Sequence, residues 1–305
     1  MKKIFILTIL ILYTSVIFPS DAYYPEKFEE AEMRLLHKLM RDMQIEHKEK
    51  HALKKIYRRN DILFCEGEDP AALENNSGAV LMLRGEYKEA AQIFENAMKH
   101  APLFFPYFYN LGKCYSHMLD YTKAFIYLNK ARYMVPEYFL TYLETGRTYE
   151  SMNKISEAIE FYRTAANIFP KHLETYIALG NAYLKQNREK RAIHYYEYTL
   201  SKNPYYANGL IGKAKIQFSR KEYYKAYMTL RIIDISDEDY DKAYHYLYAE
   251  CCYKLQIYNT AYEQYNKLLE FKHDRFFIRT SIKLIEHKME LSRRLSESKK
   301  LEESE

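Results

Sequence analysis

The stretch "NLGKCYSHMLDYTKAFIYLNKARYMVP", Asn110 to Pro136, decides how this chain folds. Gly112 sits among residues whose apolar spacing is helical: Phe108, Leu111, Tyr115, Met118 and Leu119. A glycine inside a helix costs about 1 kcal/mol relative to alanine, so its presence needs a reason. The reason is a period. Steps of 34 residues from Gly112 land on Gly78, Gly146 and Gly180, and then on Ala214. Ala124 gives Ala90, Ala158, Ala192 and Ala226 in the same way, and Pro136 gives Pro102, Pro170 and Pro204. Half of the eight glycines and half of the eight prolines fall on two columns of one repeat, which chance does not produce.

Other columns keep the register. Leu81, Tyr115, Tyr149 and Tyr183 stand three after the glycine. Phe94, Leu128, Tyr162, Tyr196 and Leu230 stand four after the alanine, and Ala97, Ala131, Ala165 and Thr199 seven after it. A sixth unit continues after one extra residue, with Ala249, Cys252, Ala261, Tyr265 and Leu268. The units run 71–104, 105–138, 139–172, 173–206, 207–241 and 242–275. Each holds two helical patterns, the second closed by the proline, which cannot continue the hydrogen-bond ladder. Antiparallel helices approach closely only where side chains are small, so Gly112 is expected to pack near Ala124.

These columns resemble the tetratricopeptide repeat, whose pattern is L-G-x-x-Y, then A-x-x-x-F, then P. Asn110–Pro136 carries it, and so does "ALGNAY…RAIHYYEYT…P" from Ala178 to Pro204. Departures are Phe108, Tyr142 and Tyr176 at the family's tryptophan position, Lys213-Ala214 for Leu-Gly, and Glu238 for the proline of unit five, which suggests an altered angle between units five and six. The resemblance implies an all-α solenoid of about six helix–turn–helix units, an open right-handed superhelix whose first helices line a concave face. Such arrays hold peptides or partner helices and rarely carry catalysis.

By the same resemblance the residue after each glycine faces the groove: Ala79, Lys113, Arg147, Asn181, Lys215 and Glu250. Lys113, Arg147, Asn181 and Lys215 are all hydrogen-bond donors. Four residues earlier stand Asn75, Tyr109, Leu143, Ile177 and Ile211; three later stand Glu150, Leu184 and Phe218. The expected partner site is therefore Asn75, Tyr109, Lys113, Arg147, Asn181, Leu184, Lys215 and Phe218, receiving a carboxylate-bearing peptide or helix. Solvated lysines and arginines that merely keep a face soluble are the competing reading, and Glu150 is placed to neutralise Arg147 along the helix. The family's chaperone-tail clamp is absent: of Asn75, Ala79, Asn110, Leu140 and Glu144 only Asn110 matches it.

The ends differ from the repeats. Lys2 and Lys3 precede an apolar run from Ile4 to Phe18 and then "PSDA", the pattern of an export signal cleaved after Ala22. The run is shorter than the ~20 residues that span a bilayer, which disfavours a retained anchor. Residues 23–70 are expected to form a helical cap and linker. Phe28, Ala31, Leu35, Leu36, Leu39 and Met43 make a helical stripe, "HALKKIYRR" continues it, and "NDILFCEGEDP" is a connecting loop. Residues 276–305 give a capping helix with Phe277, Ile278, Ile282, Ile285 and Met289, then a charged tail. A solenoid needs such covered ends.

The formal charge of +5 is spread along the chain, unlike the clustered patch of a nucleic-acid binder. There is no phosphate-binding glycine loop, paired-histidine zinc motif or nucleophile elbow. His37, His47, His117 and His194 lack ligand spacing, and "DISDEDYD" (Asp234–Asp241) lacks the glycine and terminal glutamate of a calcium loop. Cys65, Cys114, Cys251 and Cys252 match no disulfide framework, and the last three are expected as small buried helix residues. The expectation is a non-enzyme without cofactor or metal, exported to the periplasm or beyond, acting as an adaptor in the cell envelope. A holdase-like assembly factor and a tethering subunit of an envelope enzyme are the alternatives.

Overall fold

In a computed structural model of the chain, residues 55–233, 242–270 and 279–302 are described. The export signal, the 28–43 stripe, Asp234–Asp241 and the end of unit six lie outside the described residues. The chain divides into two compact units, Met1–Glu144 and Thr145–Glu305.

The first unit opens with strands β1 (Lys55–Arg59) and β2 (Ile62–Glu66), followed by helices α1 (Pro70–Leu83), α2 (Tyr87–Ala97), α3 (Phe105–His117) and α4 (Tyr121–Met134). Helix α5 (Phe139–Ser151) carries the chain into the second unit. There follow α6 (Ile155–Ile168), α7 (Leu173–Lys185), α8 (Glu189–Lys202), α9 (Ala207–Ser219), α10 (Tyr223–Leu230), α11 (Lys242–Lys254), α12 (Tyr258–Glu270) and α13 (Arg279–Glu302). The fold is all-α, an α-solenoid of helix pairs, with one hairpin as its only sheet among the described residues.

The repeat is visible in the backbone itself. Gly85, Leu119, Asn153, Asn187, Lys221 and Gln256 all have φ between 57° and 79°, and each sits in the turn between the two helices of its unit. They are 34 residues apart except for the last step of 35, where the extra residue of units five and six enters. Asparagine and glycine tolerate this left-handed conformation; Leu119, largely exposed, adopts it at a cost. Pro136 and Pro170 each directly follow the residue that ends a second helix.

The N-terminal segment departs from expectation. Residues 55–59 are a strand, not a helical continuation, and 62–66 are its antiparallel partner, not a connecting loop. Asn60 and Asp61 have φ of 52° and 54°, the two-residue turn with positive φ at both central positions that matches strand twist. "HALKKIYRR" carries good helix formers, but Ile56 of β1 and four residues of β2 are fully or nearly buried, and burial outweighs propensity. Helix α3 is consequently buried on every side from Phe105 to Ser116.

In the second unit, Leu210, Ile211, Ala214, Ala226, Leu230, Tyr244 and Cys251 form one core cluster. Ala249, Cys252, Ala261, Tyr265, Leu268 and Ile285 form another, closed by α13 through Ile285 and Met289. All four cysteines are free, buried thiols, and burial pushes Cys251 and Cys252 up to about 12.

Candidate partner-binding face

The glycine column positions the face; the alanine column lies close, with Ala158 O 3.2 Å from a Cβ built on Gly146, but the nearest neighbour is a larger side chain. A Cβ on Gly112 would lie 2.7 Å from Leu128 Cγ, and one on Gly78 would lie 2.6 Å from the Phe94 ring. In the second unit, Gly146 and Gly180 would bring a Cβ to 2.4 Å and 2.5 Å from the rings of Tyr162 and Tyr196. The partner is thus the large residue one helical turn beyond the alanine. A side chain of that size spans the gap between the helices only where no Cβ blocks it. Where that residue is tyrosine, its hydroxyl reaches polar groups of the first helix: Tyr162 donates to Glu150 at 2.5 Å, Tyr196 to Asn181 at 2.8 Å and Tyr265 to Glu250 at 2.7 Å. Burial, with the Glu250 carboxylate beside it, pushes the Tyr265 hydroxyl well above the usual tyrosine range.

In the first unit this face is covered by the hairpin. Leu63 N–H donates to Asn110 Oδ1 at 3.0 Å, and its carbonyl accepts from Asn110 Nδ2 at 2.9 Å and Asn75 Nδ2 at 2.8 Å. Cys65 N–H donates to Asn76 Oδ1 at 2.8 Å, and its carbonyl accepts from Asn76 Nδ2 at 2.6 Å. In a two-residue hairpin the backbone groups of Leu63 and Cys65 point away from β1, so the asparagines complete an edge that would otherwise be buried unpaired. The turn is clasped as well. Tyr109 hydroxyl donates to the Asp61 carbonyl at 2.9 Å, and Lys113 Nζ to the carbonyls of Asp61 at 3.2 Å and Asn60 at 3.4 Å. Lys113 also lies 3.8 Å from Glu144, both being buried.

Three of the eight expected site residues, Asn75, Tyr109 and Lys113, are therefore buried under the chain's own backbone and are not open donors. The sequence signal for this was available: Asn76 and Asn110 occupy the same repeat position, two residues before the glycine.

In the second unit Arg147, Asn181, Leu184, Lys215 and Phe218 are half-buried. Ile177 and Ile211, expected as groove contacts, are buried and belong to the core. Glu150, expected to neutralise Arg147, accepts from Lys185 Nζ at 2.8 Å and from Tyr162. Lys185 is a cation the sequence reasoning missed, 54% exposed and one turn beyond Asn181. Glu250 accepts from Lys288 of α13, so this end of the face is closed by a salt bridge from outside the repeats. Phe218 stacks edge-on with Tyr223, ring centres 5.1 Å apart.

A model of the tetratricopeptide repeat matches residues 141–172, covering α5 and α6. Over that span the chain carries a tetratricopeptide repeat. A model of anaphase-promoting complex, cyclosome, subunit 3 matches residues 185–268. Comparison with curated protein sequences found no match. Among solved structures, PilF of Pseudomonas aeruginosa is similar with 14% identity and a TM-score of 0.55, over 71% of this chain and 96% of that one. A tetratricopeptide repeat protein from Parabacteroides merdae gives 14% and 0.59, over 74% and 86%. A structure of the APC/C hetero-tetramer Cut9-Hcn1 gives 15% and 0.60, over 87% of this chain and 47% of that one. At these identities the likeness concerns the fold.

Proposed function

We propose that this protein is a non-catalytic interaction scaffold of the cell envelope. It holds a segment of a protein partner on the second unit, on the face that carries Arg147, Asn181, Leu184, Lys215 and Phe218. The observation that supports this reading most is the state of those residues. Half-buried donors stand beside half-buried Leu184 and Phe218, a combination that gives a peptide both polar anchors and apolar contact. A carboxylate-bearing segment suits the cationic heads of Arg147 and Lys215, while Lys185 is paired with Glu150 at 2.8 Å. The envelope assignment rests on the export pattern of residues 1–22.

The test is a photo-crosslinking residue at Leu184 in whole cells, with the captured protein identified by mass spectrometry. The double reversal Arg147→Glu and Lys215→Glu is expected to lower capture of that protein at least tenfold while leaving helix content unchanged. Undiminished capture removes the proposal. Sequencing of the exported chain is expected to begin at Tyr23.

A further inference from the structure

The hairpin in the first unit is held in a way that an outside segment could reproduce. Apart from a 3.7 Å contact of Asn75 Nδ2 with Cys65 Sγ, the polar contacts from α1 and α3 described above end on hairpin backbone. Peptide groups are the same in every sequence, so this grip selects an extended conformation and leaves selectivity to the side chains. Asn76 and Asn110, one repeat apart, take Cys65 and Leu63, two residues apart on the strand. One repeat therefore advances in step with one strand period. The strands have only five residues each, and an isolated two-stranded hairpin of that length is marginal in water. Its order is borrowed from α1 and α3.

We propose that the β1–β2 hairpin is a resident ligand of the first two repeats, exchangeable for an extended segment of a partner with a short apolar run like the buried Ile62–Cys65 of β2. The first unit is then self-inhibited: its asparagine-lined face opens to a partner strand only when the hairpin leaves. This goes beyond the role proposed for the second unit and does not depend on it.

The test uses the full chain. Asn60→Pro with Asp61→Val breaks a turn that needs positive φ at both positions, and leaves every gripping side chain in place. The probe is a fluorescent synthetic peptide with the sequence of residues 55–66. It is expected to bind the turn variant at least tenfold more tightly than the unaltered chain, and to lose at least tenfold when Asn76→Ala and Asn110→Ala are added. Arg147→Glu with Lys215→Glu is expected to leave this binding unchanged, which separates the two readings. Peptide failing to bind a turn variant of normal helix content overturns the proposal. So does loss of helix content in that variant, because the hairpin is then a fixed part of the core. In the unaltered chain, the Leu63 and Cys65 amides are expected to exchange with solvent at least a hundredfold faster than those of Leu111 and Gly112. Equal rates would also overturn it.

Discussion

The face around Asn110 in the first unit and the face around Asn181 in the second come from the same repeat, yet they end in different states. Around Asn110 the helix is sealed on all sides, and the asparagine spends its amide on the peptide group of Leu63. Around Asn181 the helix stays half-buried, and the asparagine accepts the Tyr196 hydroxyl from within its own repeat. The lesson is that a residue type does not have a function by itself. A donor over an unsatisfied backbone becomes structure, and the same kind of donor left at the surface is available to a partner.

The sharpest way to break this comparison is to remove both amides. Asn110→Leu leaves the Leu63 N–H and the Asn75 Oδ1 short of partners in a buried place, while the Leu63 C=O keeps Asn75 Nδ2, with a cost of roughly 2–6 kcal/mol at 1–3 per group. Asn181→Leu removes the acceptor of one group, the hydroxyl of the buried Tyr196, with a cost of about 1–3 kcal/mol. Denaturant titration followed by circular dichroism reads both; equal costs would show that the two faces do not differ in the way described. Next comes Gly180→Ala, whose methyl meets the Tyr196 ring from a backbone that cannot retreat, costing about 1–3 kcal/mol by overpacking. Adding Tyr196→Leu is expected to recover part of that loss, and no recovery would mean that the ring is not what the glycine accommodates.

Alkaline pH tests the buried groups of the second unit. Burial and the hydrogen bond with Tyr198 raise the Tyr176 hydroxyl from 10.0 to about 12, and burial raises the Cys252 thiol from 9.0 to about 12. The folded chain therefore keeps protons that the unfolded chain gives up. The stabilisation is full below pH 9 and lost as pH rises from there to about 12. Thermal midpoints measured across that window are expected to fall, and thiol reagents at pH 8 are expected to leave Cys251 and Cys252 unmodified until the chain unfolds.

The smallest expected effect is a gain. Leu119→Gly relieves a left-handed leucine in the first unit and is expected to stabilise by about 1 kcal/mol. The corresponding Asn187→Gly in the second unit is expected to change little, because asparagine already tolerates that conformation. A rise in the thermal midpoint for the first and not the second would sharpen the contrast.

Much of the fold was legible because it is local and repeated. The glycine, alanine and proline columns mark packing and termination events that recur every 34 residues, and no long-range information is needed to see them. The hairpin was not legible for the opposite reason. Lys55 to Arg59 carries good helix formers, and Asn60-Asp61 lacks the glycine that usually announces a tight turn. Its strand character comes from asparagines 11 to 47 residues away in sequence that satisfy the outer edge of β2. Of the expected site residues, Arg147, Asn181, Leu184, Lys215 and Phe218 are half-buried, whereas the burial of Asn75, Tyr109 and Lys113 depended on what lay over them.

The amino-acid order alone determined that this is a helical repeat, where the proline column closes its second helices, and which residue types recur along each first helix. Periodic side-chain size specifies periodic helix contact, and that contact is short-range. Which stretch of the face is filled and which stays exposed was decided only in three dimensions. A backbone edge finds its hydrogen-bond partners through space, and Leu63 meets Asn110, 47 positions further along the chain.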